Sequence, residues 1–189
     1  VSRGLGDVYK RQPQIRWRVY SVDKVLTESS LYRQIKNRLN METKATVFDV
    51  AKYILSKTGS ITAMKLQKLV YYAQAWSLVW DEEPLFNDDF EAWSHGPVIP
   101  ALYQAHKGLF KVSTKDISGK ISTLSANQKD SINRVLEVYG KLTAQQLIDL
   151  THSEAPWKGA RGNISMGAPC KKIISKSSIS ESVSYTHLT

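Results

Sequence analysis

Cysteine is almost absent from this 189-residue sequence, which holds one, Cys170. That excludes a disulfide framework and any cysteine-rich metal knuckle, and it fits a reducing compartment. No apolar run approaches the roughly 20 residues needed to cross a bilayer, and the N-terminal stretch lacks the continuous apolar core of a signal peptide. A cytoplasmic protein with no membrane partner is expected. Also missing are a phosphate-cradling glycine motif, a nucleotide signature and an internal repeat of solenoid length, so no cofactor and no repeat scaffold is expected. Acidic residues are in deficit: 17 Asp+Glu face 26 Lys+Arg, a formal net charge of +9. Taken whole, that balance points to nucleic acid or another anionic surface. The length suits one ordinary domain with tails and leaves little room for a large multidomain enzyme.

Where the charges sit alters that first implication. The chain opens VSRGLGDVYKRQ and closes VSYTHLT. One codon choice for Asp7 to Gln12 is GATGTGTATAAGAGACAG, whose reverse complement, read in its third frame, encodes Val-Ser-Tyr-Thr-His, the sequence of Val183 to His187. Two unrelated protein ends should not encode each other's complement. The pair resembles the inverted adapters of transposase-based sequencing libraries, so residues 1–12 and 183–189 are read as adapter-derived and set aside from fold reasoning. Residues 13–40 carry Arg16, Arg18, Lys24, Arg33, Lys36 and Arg38 against Asp23 and Glu28. They are read as upstream DNA translated through, with Met41 as the start. The competing reading is a genuine basic arm in which Leu31, Ile35 and Leu39 form a helical stripe that docks or binds nucleic acid. Residues 1–40 hold nine basic and three acidic residues, whereas 41–182 hold 17 basic and 14 acidic, a net of +3 over 142 positions. That near-balance weighs against nucleic acid as the domain's partner.

Between Met41 and Ser182 the spacing is mostly helical. Thr46 can cap a helix with apolar Val47, Val50, Ala51, Ile54 and Leu55, stopped at Gly59. Thr62 can cap a second, TAMKLQKLVYYAQAWSLVW, apolar on most faces and hence expected at the centre of the domain. Residues 83–93 break the period with Pro84 and an Asn-Asp-Asp cluster, which predicts a hairpin or an extended excursion. His95-Gly96-Pro97 marks a turn, after which Ile99, Leu102, Tyr103 and His106 take helical spacing, with Pro100 in the first turn and Gly108 as terminator. Leu109 to Leu124 suggests a second weak hairpin. Ser125 with Gln128, and Thr143 with Gln146, are capping boxes for two further helices, the first ending at Gly140 and the second at His152. Glu154 to Trp157 reads as a tight corner, and the remainder is a Ser-, Lys- and Gly-rich tail. The expected fold is mainly α, a compact helical bundle with a minor β-hairpin component, an α+β arrangement.

Three segments, KLQKLVYYAQAW at 65–76, PLFNDDFEAWSHGPVIPALY at 84–103 and YGKLTAQQLIDLTHSEAPW at 139–157, together resemble the Panacea domain family, the SocA-like antitoxins that also occur as phage-associated proteins of the GepA type. The resemblance covers most of Met41 to Trp157, and only the three segments in order are specific. The piece APCKKIISKSSISES is similar to the segment leading into the family's last helix, which would then be cut off at Val183. The resemblance implies a prokaryotic or phage antitoxin that neutralises a cognate protein toxin by direct binding; in one branch of the family it also implies an adaptor that hands the toxin to the ClpXP protease.

The residues themselves leave three function classes to weigh. An enzyme would use His152 and Glu154 as an acid–base pair, or with His95 as part of a metal site, in a small hydrolase or metal-dependent reaction. The spacing matches no strong metal template, and His152 is better explained at a helix C-terminus, where the dipole favours it. Neither a catalytic set nor a metal site is therefore expected, and Cys170 has no companion for a nucleophilic role. A DNA-binding regulator would use Lys65, Lys68 and Tyr72, spaced i, i+3 and i+7 on one helical face, as a phosphate track, but no base-reading helix accompanies it. A protein-binding module would use the same face against an acidic patch, together with aromatic anchors. Gly96-Pro97 would hold Trp93 and Tyr103 in fixed relation, while Trp93 and Trp157, beside turns and polar residues, can serve the core or an interface. Trp76 is expected in the core. The expected partner-binding set is Trp93, Gly96, Pro97, Tyr103, Glu154, Trp157, Lys65, Lys68 and Tyr72.

Overall fold

A computed structural model describes residues 45–186, with side chains to Val183. The assignments made above for residues 1–40, including the basic-arm alternative, lie outside the described residues. Seven helices and five short strands follow in order: α1 (Val47–Thr58), β1 (Ile61–Thr62), α2 (Ala63–Trp80), β2 (Phe90–Trp93), β3 (Gly96–Val98), α3 (Pro100–His106), β4 (Lys111–Val112), α4 (Ala126–Tyr139), α5 (Ala144–Ser153), α6 (Ala155–Arg161), β5 (Ile173–Ile174) and α7 (Lys176–Thr186). The architecture is mainly helical with two small antiparallel sheets, as the periodicity implied. No described helix is long and apolar enough to cross a membrane.

The helix starts follow from local chemistry. The hydroxyls of Thr46, Ser125 and Thr143 each accept the N–H three residues on, and the N3 side chains Asp49, Gln128 and Gln146 reach back to the cap N–H, so each box satisfies two groups the helix cannot. Asp49 also accepts the Lys120 N–H, fixing the loop before α4 against α1.

Helix α2 is the axis of the domain, with α1, α4, α5 and α7 against it. Twelve successive residues, Leu66 to Ser77, are buried. Four of them are polar, and each is bonded to the backbone of the excursion between α2 and α3. Gln67 accepts the Ile99 N–H at 3.0 Å, and Lys68 donates to the Pro97 carbonyl at 2.8 Å. Gln74 accepts the Leu85 N–H at 2.9 Å and donates to the Phe86 carbonyl at 3.2 Å, while the Ser77 hydroxyl donates to the Glu83 carbonyl at 2.8 Å. Residues 83–99 run largely outside regular ladders, and their buried N–H and C=O groups need partners. The polar residues of a helix otherwise apolar all round supply them. This is how so irregular a segment can bury Leu85, Phe86 and Phe90.

The excursion ends in a hairpin. β2 pairs with β3 in the register Glu91↔Val98 and Trp93↔Gly96, leaving Ser94 and His95 as the two-residue loop, so Gly96-Pro97 forms the start of a strand and not the turn itself. β5 adds to the other edge of β2, Phe90 opposite Ile174. The expected second hairpin in 109–124 does not form. β4 instead pairs with β1, Ile61 opposite Val112, because the apolar Val112 is buried against residues far from it in sequence.

The C-terminal side is more regular than its composition suggests. The corner at 154–157 is the first turn of α6, with Pro156 where a missing N–H costs nothing. The Ser- and Lys-rich tail, read above without regular structure, holds strand β5 and helix α7, whose Ile179 and Val183 are buried against the core. Sparse apolar residues four apart suffice when a groove beside α2 awaits them.

Candidate functional site

Three elements meet at the β2–β3 hairpin: the middle of α2, the end of α5 and the start of α6. Gly96 has φ +96°, and a Cβ there would lie 2.6 Å from Lys68 Cε and 2.8 Å from Thr151 Oγ1. A side chain at 96 is thus opposed both by backbone strain and by space. Lys68 is fully buried, and its hydrogen bond to Pro97 is not accompanied by an ion pair among the described residues. Desolvation of the ammonium lowers its pKa to about 7.

On the neighbouring side Glu154 accepts the Tyr72 hydroxyl at 2.8 Å and, more weakly, the Tyr71 hydroxyl at 3.4 Å. Burial raises its pKa to about 7 against the opposing pull of those two hydrogen bonds. Both tyrosines are themselves pushed up by burial first and by the adjacent carboxylate second. Tyr72 stacks on Tyr139 at 4.1 Å, and Tyr71 meets Phe90 edge-on at 5.2 Å, so the phenols are clamped in place.

Trp157 ties the hairpin to α6. Its indole N–H donates to the Trp93 carbonyl at 2.9 Å, and the His152 ring stacks on it at 4.0 Å. The Arg161 guanidinium lies 5.0 Å over the same indole, donating to the Ala92 carbonyl of β2 and to the carbonyls of Ser165, Met166 and Ala168 beyond α6. Burial, then the nearby Lys68, lowers the His152 pKa, and its Nε2 is buried without a hydrogen-bond partner.

Toward solvent the same region opens into a cleft of about 290 Å³. Its walls include Met64, Val98, Tyr103 and Leu109, with Trp93 edge-on to Tyr103 at 4.9 Å and Lys68 at its inner side. The Trp93 indole donates to Glu91 at 2.6 Å, which fixes the ring at the rim.

The structure divides the expected partner-binding residues into two layers. Trp93, Tyr103, Glu154 and Lys65 are part-exposed, whereas Gly96, Pro97, Lys68, Tyr72 and Trp157 are buried beneath them. Lys65, Lys68 and Tyr72 do share a helical face, but most of it is covered: Lys65, part-exposed, donates to the Gly140 carbonyl at 2.7 Å, and the other two are sealed. Trp157 belongs to the core, and so does Trp76, whose indole donates to the Tyr139 hydroxyl. No hydrogen bond joins His152, Glu154 and His95: Glu154 is held by tyrosines, His152 stacks on Trp157, and His95 is exposed. Among the described residues no three His, Cys, Asp or Glu side chains group as metal ligands. Cys170 is buried, not in a solvated tail.

Sequence reading missed Tyr71, Thr151, Arg161, Gln67 and Gln74. The available signal was a contradiction within α2, where a helix apolar on most faces carried two glutamines and two lysines. Such groups survive burial only when something irregular needs their hydrogen bonds.

Residues 66–158 match the family model described as Antitoxin SocA-like, Panacea domain. The chain is 32% identical over 146 residues, 66% of its length and 78% of the relative's, to Antitoxin SocA of Caulobacter vibrioides (strain NA1000 / CB15N). No solved structure matches. The matched span contains most of α2, the hairpin, most of the cleft lining and the Glu154–Trp157 corner, and the chain therefore belongs to the SocA-like antitoxin family with a Panacea domain.

Proposed function

We propose that this chain neutralises a cognate protein toxin by stoichiometric binding, covering it with the surface around Trp93 and Tyr103. Family membership supports an antitoxin role. The observation that carries the binding surface is the layering of the site. A half-buried tryptophan and tyrosine stand at the mouth of an apolar cleft, and beneath them Gly96, Lys68 and Trp157 fix the hairpin by contacts that leave little freedom. Rigid aromatic anchors lose little entropy on binding, and a preformed surface pays little to reorganise. The near-balanced charge of residues 41–182 favours a protein over a phosphate backbone as partner.

Neutralisation would be by occlusion, and the complex would stabilise the antitoxin by mass action. Co-expression with the product of the adjacent gene tests this. Toxicity of that product alone and rescue by this chain are expected; a harmless neighbour, or a toxic one that is not rescued, sinks the proposal. The same co-expression in cells lacking the ClpXP protease separates the two family mechanisms. Occlusion predicts rescue without the protease, whereas loss of rescue there would make the chain a proteolytic adaptor.

A further inference from the structure

Five large hydrophobic residues are exposed among the described residues, Met64, Leu109, Phe110, Met166 and Ile173, and the first three lie together. The β1–β4 ladder sets Thr62 opposite Lys111, and the Ala63 N–H donates to the Phe110 carbonyl at 3.0 Å, which brings 109–111 alongside the start of α2. Met64 and Leu109 line the cleft, and Phe110, next in the chain, is 79% exposed. Apolar groups gathered at the mouth of a cleft mark an interaction site far more often than single exposed ones do.

Basic side chains predominate around the cleft. Its lining includes Lys68, His95 and His106 and no carboxylate. Lys107 and Lys111, both exposed, bracket Leu109 and Phe110 in the chain. Two acids on neighbouring segments are already engaged: Glu91 holds the Trp93 indole, and Asp116 accepts from the Ser113 backbone and hydroxyl. An acidic partner thus finds cations at the rim and no repulsion inside.

Resting on the antitoxin reading above, we propose that the cleft receives one bulky apolar side chain of the toxin, carried on a segment whose flanking residues are Asp or Glu. The side chain fills the space between Met64, Val98, Tyr103 and Leu109, Phe110 folds over it, and Lys107 and Lys111 meet the flanking carboxylates.

The test measures binding of the adjacent-gene product to the full chain and its variants by titration calorimetry at about 50 and about 300 mM salt. Phe110→Ser and Leu109→Ser are expected to weaken binding about tenfold or more at both salts. The pair Lys107→Glu and Lys111→Glu should weaken it similarly at low salt and much less at high salt, and a Glu→Lys change on the toxin segment should restore it. Met166→Ser and Ile173→Ser, also exposed but outside the cleft lining, should leave it unchanged. If the parent chain binds and the cleft variants bind as well as it does, this inference falls while the antitoxin reading stands. If the parent chain does not bind, both fall. Self-association of the chain alone, abolished by Phe110→Ser, would assign the cleft to a second copy and likewise overturn it.

Discussion

Gly96 and Lys68 pack so closely that a Cβ on residue 96 would stand 2.6 Å from the lysine's Cε. The glycine also holds φ +96°, where an L side chain is strained. Gly96→Ala should therefore destabilise the fold by about 2–4 kcal/mol, part from the dihedral and part from overpacking. Truncating the opposing side chain, Lys68→Ala, relieves the lysine's share of the second part and leaves the Thr151 Oγ1 contact at 2.8 Å. In that background Gly96→Ala should cost about 1–3 kcal/mol less, measured by denaturant unfolding as a double-mutant cycle. Equal costs in both backgrounds would show that the contact does not matter.

Stability should pass through a dip near neutral pH because two desolvated groups of opposite charge type, the buried Lys68 and the part-exposed Glu154, are both held near pKa 7. Glu154 is raised from 4.5 to about 7, so its contribution is complete below 4.5 and is lost as pH climbs to 7, where the unfolded chain holds fewer protons than the folded one. Lys68 is lowered from 10.5 to about 7, so its contribution is complete above 10.5 and is lost as pH falls to 7. His106 and His152, both lowered by burial, add a rise with pH below 6.5 that opposes the Glu154 arm. Difference curves against the parent isolate each group. Glu154→Gln should remove the decline between 4.5 and 7, and Lys68→Met should remove the rise between 7 and 10.5. A variant that leaves its own arm unchanged would refute the assignment for that residue.

Gln74 should behave as a core residue despite its polarity. Its amide serves the Leu85 N–H and the Phe86 carbonyl, both buried. Gln74→Leu fills the volume but strands those groups, at about 1–3 kcal/mol for each one left unpaired. Hydrogen exchange offers the more specific readout: protection should fall at Leu85 and Phe86 before it falls along α2. Uniform loss across the domain would mean that the excursion and the helix open as one unit.

How much of this was legible beforehand depended on whether the determining interaction was local. Thr46, Ser125 and Thr143 announced their helices because a cap and its box are written within four residues. Val112 could not announce its partner, since pairing with Ile61 is decided across 51 positions by which strand edge is left open. α7 was hidden because its two buried apolar residues, Ile179 and Val183, carry little pattern of their own. At the proposed site, the aromatic residues and turn chemistry were visible in the sequence, whereas the burial of Lys68 was not. Helical spacing places Lys65, Lys68 and Tyr72 on one face, but which side of the helix meets water follows from how many neighbours surround it, and α2 has them on every side.

Trp93 and Trp157 should separate binding from stability, although one hydrogen bond links them. Trp157 is buried and donates to the Trp93 carbonyl while stacking on His152. Trp157→Phe keeps a ring but strands that carbonyl, so about 1–3 kcal/mol of stability should be lost. Trp93 contributes only its backbone to that bond; its half-buried indole faces Tyr103 and the cleft. Trp93→Ala should therefore spare most of the fold yet weaken binding of the adjacent-gene product by about 2 kcal/mol or more, roughly thirtyfold. Thermal unfolding and calorimetric titration on the same two variants decide the matter. If Trp93→Ala lowers the melting temperature as far as Trp157→Phe does while affinity at a permissive temperature is unchanged, the hairpin tryptophan is a core residue and the binding surface must lie elsewhere on the domain.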